Sequence, residues 1–187
     1  MNLLNLFSKI NIAYQEYIQS SSKLAGGISG HLNCVLGNES FQILENLKKH
    51  EGMDDLAKFF NITIDEYHVS VGCNINLPGS KLQHIHYDGD YDEESFILNI
   101  PLVDTNKLNG AIKIIPESHK IKRSYLEYLL SRISKKTLQI ESKQGSGLIR
   151  SSNVWHRGTP NKTKTIRPML NIVLYKRDST YSIDAIR

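Results

Sequence analysis

Residues 166–175, IRPMLNIVLY, alternate between two unlike faces. Ile166, Pro168, Leu170, Ile172 and Leu174 are all apolar, whereas Arg167, Met169, Asn171, Val173 and Tyr175 are mixed. A period of two over ten residues specifies a strand, and a wholly apolar face obliges the fold to cover it. SFILNIPLV, residues 95–103, repeats the pattern, with Phe96, Leu98, Ile100 and Leu102 against Ser95, Ile97, Asn99, Pro101 and Val103. The mixed faces suit two surroundings about equally. They fit solvent, and they fit the polar interior of a barrel where Arg167, Asn171 and Asn99 would meet a ligand.

The order of textures around these strands narrows the architecture. The first sixty residues read as helical. An amphipathic opening carries Leu3, Leu4, Phe7, Ile10, Tyr14, Tyr17 and Ile18 on one stripe; the Gly-rich LAGGISG breaks it, and helices over 39–50 and 53–60 follow. From Ile62 the chain turns to short alternating runs (ITIDEYHVSVGCNINL, SFILNIPLV, GAIKIIP, TLQI, GLIR), interrupted by one inserted helix over 125–133. Helices followed by many short strands predict a mainly β chain, a sandwich or barrel backed by helices. At 187 residues a single domain is expected: a helical part at 1–60, a β core at 61–177 and a tail at 178–187.

Composition excludes several classes of function. The net charge of +4 is spread over clusters at 120–123, 132–136 and 162–167, which read as solvated faces plus one functional arginine rather than a nucleic-acid footprint. Polar residues break the apolar opening every two or three positions, so neither a signal peptide nor a membrane span is expected. Cys34 and Cys73 stand in no metal or redox spacing, which favours a reduced, cytoplasmic chain.

Chemistry concentrates in QHIHYD, residues 83–88. On an extended strand His84, His86 and Asp88 point to one face, and the solvated end of a strand would carry the same residues. A third imidazole, His156, stands downstream in SSNVWHRGTPN, and Arg167 follows eleven residues later. Two imidazoles and one carboxylate leave three positions of an octahedron open, which suits a ferrous ion that must also hold a co-substrate and dioxygen. Arg167 would then grip the far carboxylate of a dicarboxylate co-substrate with its planar fork.

PGSKLQHIHYD (78–88), NGAIKIIPESH (109–119), GSGLIRSSNVWHRGTPN (145–161) and Arg167 occur in this order and spacing. Together they resemble the phytanoyl-CoA dioxygenase family of Fe(II)- and 2-oxoglutarate-dependent oxygenases. The resemblance implies a double-stranded β-helix, or jelly-roll, core of the cupin-like kind. It implies His86, Asp88 and His156 as iron ligands and Arg167 as the 2-oxoglutarate clamp. Gln83, Asn99 and Asn171 become, by position, neighbours of the ligands or contacts of the co-substrate. His84 is then not a ligand and either contacts substrate or packs, with packing favoured; His119 makes a structural hydrogen bond in its turn, while His31, His50 and His68 carry no motif. Hydroxylation with O2 is the implied reaction, since halogenating relatives replace the carboxylate at Asp88 with a small residue. The substrate class is a small-molecule or carrier-tethered metabolite, and a short chain implies trimmed lids and an open mouth. Three positions depart from the pattern: Glu117 for glycine, Ser146 for aspartate, and Arg150 for an apolar or aromatic residue.

Two other readings compete. HIHYDGD also fits a cupin-type ligand spacing through His84, His86 and Asp90, which would make Arg167 dispensable. A jelly-roll binding module that has lost turnover would keep the fold and the motif alike.

Overall fold

A computed structural model of the chain describes residues 28–35, 51–89, 94–120 and 136–176, with isolated positions between 42 and 49 and between 122 and 127. These residues are mainly β, in two antiparallel sheets of jelly-roll character. The strands are β1 (His31–Val35), β2 (Tyr67–Asn76), β3 (Ser95–Pro101), β4 (Lys113–Ile114), β5 (Leu138–Gln139), β6 (Leu148–Ser151), β7 (His156–Arg157) and β8 (Arg167–Lys176). The larger sheet runs β1-β2-β8-β3-β6 and the smaller one β5-β4-β7. One α-helix, α1 (Glu51–Phe60), lies within the described residues and matches the helix expected over 53–60. The expected helix at the N-terminus lies outside them, and those over 39–50 and 125–133 are described only in part, with helix at 42–43, 45–46 and 126–127.

The apolar faces fold as their pattern requires. Leu170, Ile172 and Leu174 of β8 join Val71, Cys73 and Ile75 of β2 and Leu32 and Cys34 of β1 in one buried cluster. Each large aliphatic side chain buried this way contributes about 1.5–3 kcal/mol. Phe96, Leu98 and Ile100 of β3 pack against the same cluster, and the Phe60 ring of α1 lies 4.6 Å from that of Phe96. On the opposite side the choice between solvent and interior resolves to interior. Asn99 is 3% exposed and Arg167 5%. Ser95, Ile97, Asn99 and Pro101 are in fact the more buried set of β3.

A wholly helical first sixty residues is corrected at 31–35. HLNCV is a strand, registered from His31↔Asn76 to Val35↔Gly72. Five residues are too short for the alternation of Leu32 and Cys34 to stand out, and it is pairing with β2 that buries both. That pairing sets Cys34 opposite Cys73; both thiols are free and buried. Burial pushes the Cys73 thiol up to about 12 and raises that of Cys34, so neither is a ready thiolate. No described helix is long and apolar enough to cross a membrane.

One departure in sequence has a backbone consequence. Glu117, standing where the motif has glycine, adopts φ +60, the left-handed region that a Cβ disfavours. Its side chain makes only an exposed pair with Lys120, a contact of little worth in solvent. Glu117→Gly should therefore raise the melting midpoint by about 2 °C, read by calorimetry. A drop would mean that the carboxylate has a partner beyond Lys120.

A candidate metal and co-substrate site

The QHIHYD segment is not a continuous strand. It is a loop tied at three points to the chain around β7. Gln83 N–H donates to the Gly158 carbonyl at 3.1 Å; His86 and His156 exchange backbone bonds of 2.9 and 2.8 Å; Asp88 N–H donates to the Ser152 carbonyl at 3.0 Å. Ile85 is buried with Ile115 and Trp155 and anchors the loop between the two histidines. A serine pair beneath, Ser95 and Ser152, is hydrogen-bonded hydroxyl to hydroxyl.

These ties bring His86, Asp88 and His156 together, with one donor atom from each inside a mutual 4.8 Å. Both imidazoles are oriented by their own chain. His86 Nδ1–H donates to the His84 carbonyl at 2.8 Å, and His156 Nδ1–H to that of Val154 at 2.9 Å. In each ring this leaves the Nε2 lone pair for the cluster, the arrangement that ligating histidines use. His156 Nε2 lies 3.3 Å from Asp88 Oδ2, and His86 Nε2 3.6 Å from Asp88 Oδ1. A carboxylate with two inward lone pairs fits a divalent ion of the iron type.

A third group enters the cluster. Arg150, the departure on β6, donates from Nη2 to Asp88 Oδ2 at 2.6 Å, and the same nitrogen is 3.3 Å from His156 Nε2. Its Nε donates to Asn99 Oδ1 at 3.3 Å, and Asn99 Nδ2 to Asn171 Oδ1 at 2.6 Å. Asn99 and Asn171, singled out by position, thus reach the ligand set through Arg150. Burial alone would raise the Asp88 carboxyl, but His156, Arg150 and His86 hold it well below the usual carboxylate range. Burial, then the Arg150 charge, pushes His156 down to about 3, so its ring is neutral at pH 7.

That shift has a consequence for acid stability. The unfolded chain protonates His156 near 6.5 and the folded chain only near 3, so the unfolded state binds the extra proton between them. Stability of the metal-free protein should fall as pH drops from about 6.5 towards 3, by an amount on the order of a few kcal/mol. Melting midpoints measured between pH 7 and 4 should show this slope, and His156→Gln should flatten it. An unchanged slope in that variant would assign the acid sensitivity to other groups.

Arg167 opens β8 and is 5% exposed. Its Nη2 donates to the Gly110 carbonyl at 3.0 Å, its Nε has no partner, and no described carboxylate pairs with it. Burial lowers its pKa to about 10, leaving a charged, underbonded guanidinium. Gly110, at φ +92, is required there: a Cβ would stand 2.0 Å from Asn76 Nδ2. Asn109 locks the turn by accepting from Asn106 N–H at 2.7 Å and donating to the Asp104 carbonyl at 2.7 Å. The unpaired cradle of Arg167 fits an incoming carboxylate.

The other sequence expectations fall out as follows. Gln83 Oε1 accepts from Gly158 N–H at 2.7 Å, a bond that holds the ligand loop. His84 is exposed, so packing does not describe it, and it lies outside the cluster of His86, Asp88 and His156; Asp90, the other residue of the cupin-type spacing, lies outside the described residues. His119 is exposed, and the structural hydrogen bond of its turn belongs to Ser118, whose hydroxyl accepts from Trp155 N–H at 2.8 Å. His31 is not the bland residue its lack of motif suggested. It is buried, donates from Nε2 to the Lys81 carbonyl at 2.7 Å, and is lowered chiefly by burial but also by the charges of Arg167 and His86. A lone histidine after a Gly-rich break offers no signal for this. Its role follows from β1 pairing alone.

Known proteins share this fold. Among solved structures, the chain is similar to the α-ketoglutarate-dependent epimerase SnoN from nogalamycin biosynthesis in complex with Fe3+, α-ketoglutarate and nogalamycin RO. That match has 12% identity and TM-score 0.66 over 90% of this chain and 73% of that one. The carbocyclase SnoK from the same biosynthesis gives 13% identity and TM-score 0.62, over 95% and 77%. AviO1 from Streptomyces viridochromogenes gives 18% and 0.61, over 73% of this chain and 62% of its own. The chain spans only 28% of another similar structure, EvdMO1. At these identities the likeness is one of fold. The family model described as phytanoyl-CoA dioxygenase (PhyH) matches residues 29–169, which is 141 of the 187. With that match spanning the ligand loop, the N-G-A turn and the first residues of β8, the chain belongs to the phytanoyl-CoA dioxygenase family.

Proposed function

We propose that the protein is an Fe(II)- and 2-oxoglutarate-dependent oxygenase that hydroxylates an unactivated C–H bond of a small-molecule or carrier-tethered metabolite. One observation carries the reading: a His-Asp-His set with one donor atom from each inside a mutual 4.8 Å, alongside a buried Arg167 that no described acid pairs. His86 and His156 would hold iron through Nε2 and Asp88 through one carboxylate oxygen, while Arg167 would take the distal carboxylate of 2-oxoglutarate. With O2, iron and 2-oxoglutarate supply a two-electron oxidation, and succinate and carbon dioxide are the co-products. The chain's own part is orientation. Backbone carbonyls fix both imidazoles, the Gly110 carbonyl fixes Arg167, and Ile85 and Trp155 keep one side of the ligand loop dry.

The ligand set is open on one side, with the His86 and Asp88 side chains 37% and 33% exposed. That opening supports an accessible mouth and a substrate presented from solvent. SnoN and SnoK, named as an epimerase and a carbocyclase, are reasons to test the outcome of oxidation directly. Gain of one oxygen marks hydroxylation, unchanged mass epimerisation, and loss of two hydrogens ring closure or desaturation. Free buried thiols support a cytoplasmic setting.

The test is anaerobic titration with Fe(II) and then 2-oxoglutarate, followed by the visible metal-to-ligand charge-transfer band and, in air, by succinate release. A band and succinate support the reading. Bound metal without a band would turn it towards a cupin-type isomerase or sensor, and absence of binding towards an inactive jelly-roll module.

A further inference from the structure

Arg150 does something that a wall residue does not. Its Nη2 addresses Asp88 Oδ2 and His156 Nε2, two of the three groups whose lone pairs would hold a metal. The side chain is 6% exposed, is held from behind by Asn99, and has an Nη1 with no partner. A fixed cation therefore stands within hydrogen-bond reach of the ligand set, in a poorly screened interior. His156 Nε2 cannot both accept from Arg150 and bind an ion, so metal entry must turn that nitrogen away and bring a dication beside a guanidinium.

From this we infer that Arg150 couples metal binding to co-substrate binding. The inference rests on the proposed function and adds a reason for the order of events. Asp88, Arg150 and Arg167 together carry one net positive charge. A divalent ion alone raises that to three, which the site opposes. Doubly negative 2-oxoglutarate returns it to one. The metal thus binds weakly without the co-substrate; the co-substrate without the metal meets an Arg150 still paired to Asp88, and by linkage each strengthens the other by the same factor. The co-substrate also meets a second buried arginine, whose Nη2 metal entry would free and whose Nη1 has no partner. A chain with an apolar residue at this position lacks the penalty and the reward together.

The experiment is a binding cycle with Mn(II), a redox-stable stand-in, measured by electron paramagnetic resonance with and without 2-oxoglutarate. Arg150→Gln keeps a hydrogen-bond donor but removes the charge; Arg150→Lys keeps the charge but not the fork. In Arg150→Gln, Mn(II) alone should bind about tenfold tighter or better, and the enhancement by 2-oxoglutarate should shrink by about the same factor. Arg150→Lys should retain most of the wild-type enhancement. If Arg150 only positions Asp88, Arg150→Gln will weaken Mn(II) equally with and without 2-oxoglutarate, and the inference is overturned. Failure of the wild type to bind Mn(II) or 2-oxoglutarate at all would overturn the proposed function instead. If Arg150→Gln proves unstable, the Arg150→Lys cycle still decides, because a retained charge with a lost enhancement contradicts the coupling.

Discussion

His86→Ala should lower Fe(II) affinity by at least about 100-fold and abolish 2-oxoglutarate turnover, while the metal-free protein melts within a few degrees of wild type. Losing a partner outside the ligand shell already costs about 10–100-fold in metal affinity, and a ligand costs more. The fold should tolerate the change because His86 is 37% exposed and its ring makes one local bond, to the His84 carbonyl. Such a bond contributes about 1 kcal/mol. The backbone pairing of residue 86 with His156 does not depend on the side chain. His156→Ala is the poorer experiment, since that ring is 6% exposed and its removal would also open a cavity. Isothermal titration of Fe(II) under anaerobic conditions, with a melting curve of each metal-free variant, separates lost binding from lost structure. Wild-type affinity in His86→Ala would move the ligand set elsewhere, and the alternative spacing through His84 would be the first to retest.

How much of this was legible in the sequence depended on whether a residue's role was set locally. The candidate ligands and Arg167 sit in motifs whose spacing is fixed by a turn or a strand, and the structure brings His86, Asp88 and His156 together. The strands with a strong period, 166–175 and 95–103, were legible for the same reason. Their buried side was not, because alternation names two faces and only the partner sheet says which one is inside. β1 and His31 escaped because pairing with β2, some forty residues away, creates both the strand and the burial. Arg150 was visible as a departure but its meaning was not. Only the register Ile97↔Arg150 and the return of the 83–89 loop bring its guanidinium to Asp88. The structural hydrogen bond expected of His119 is made by Ser118 because a turn, rather than a period, sets which side chain points inward.

Arg167→Met should separate two effects of opposite sign. Without co-substrate, Arg167 is a buried cation with one hydrogen bond to Gly110, an unpartnered Nε and no described acid. Such a group is held at a desolvation cost, and an apolar side chain of similar length is often neutral or stabilising in its place. The variant's midpoint should therefore match or exceed that of the wild type. Binding should fail all the same. Each charge-assisted hydrogen bond to a buried carboxylate is worth about 1.5–3 kcal/mol, so losing a two-pronged grip weakens 2-oxoglutarate by about 100-fold or more. Fe(II) binding alone should persist, since no metal ligand is touched. Saturating 2-oxoglutarate should consequently stabilise the iron-loaded wild type against heat and leave the variant unmoved. A variant that melts lower and still binds 2-oxoglutarate would make Arg167 a structural residue of β8. A destabilised variant that also loses 2-oxoglutarate would leave the grip intact but would show that Gly110 and its turn depend on the guanidinium.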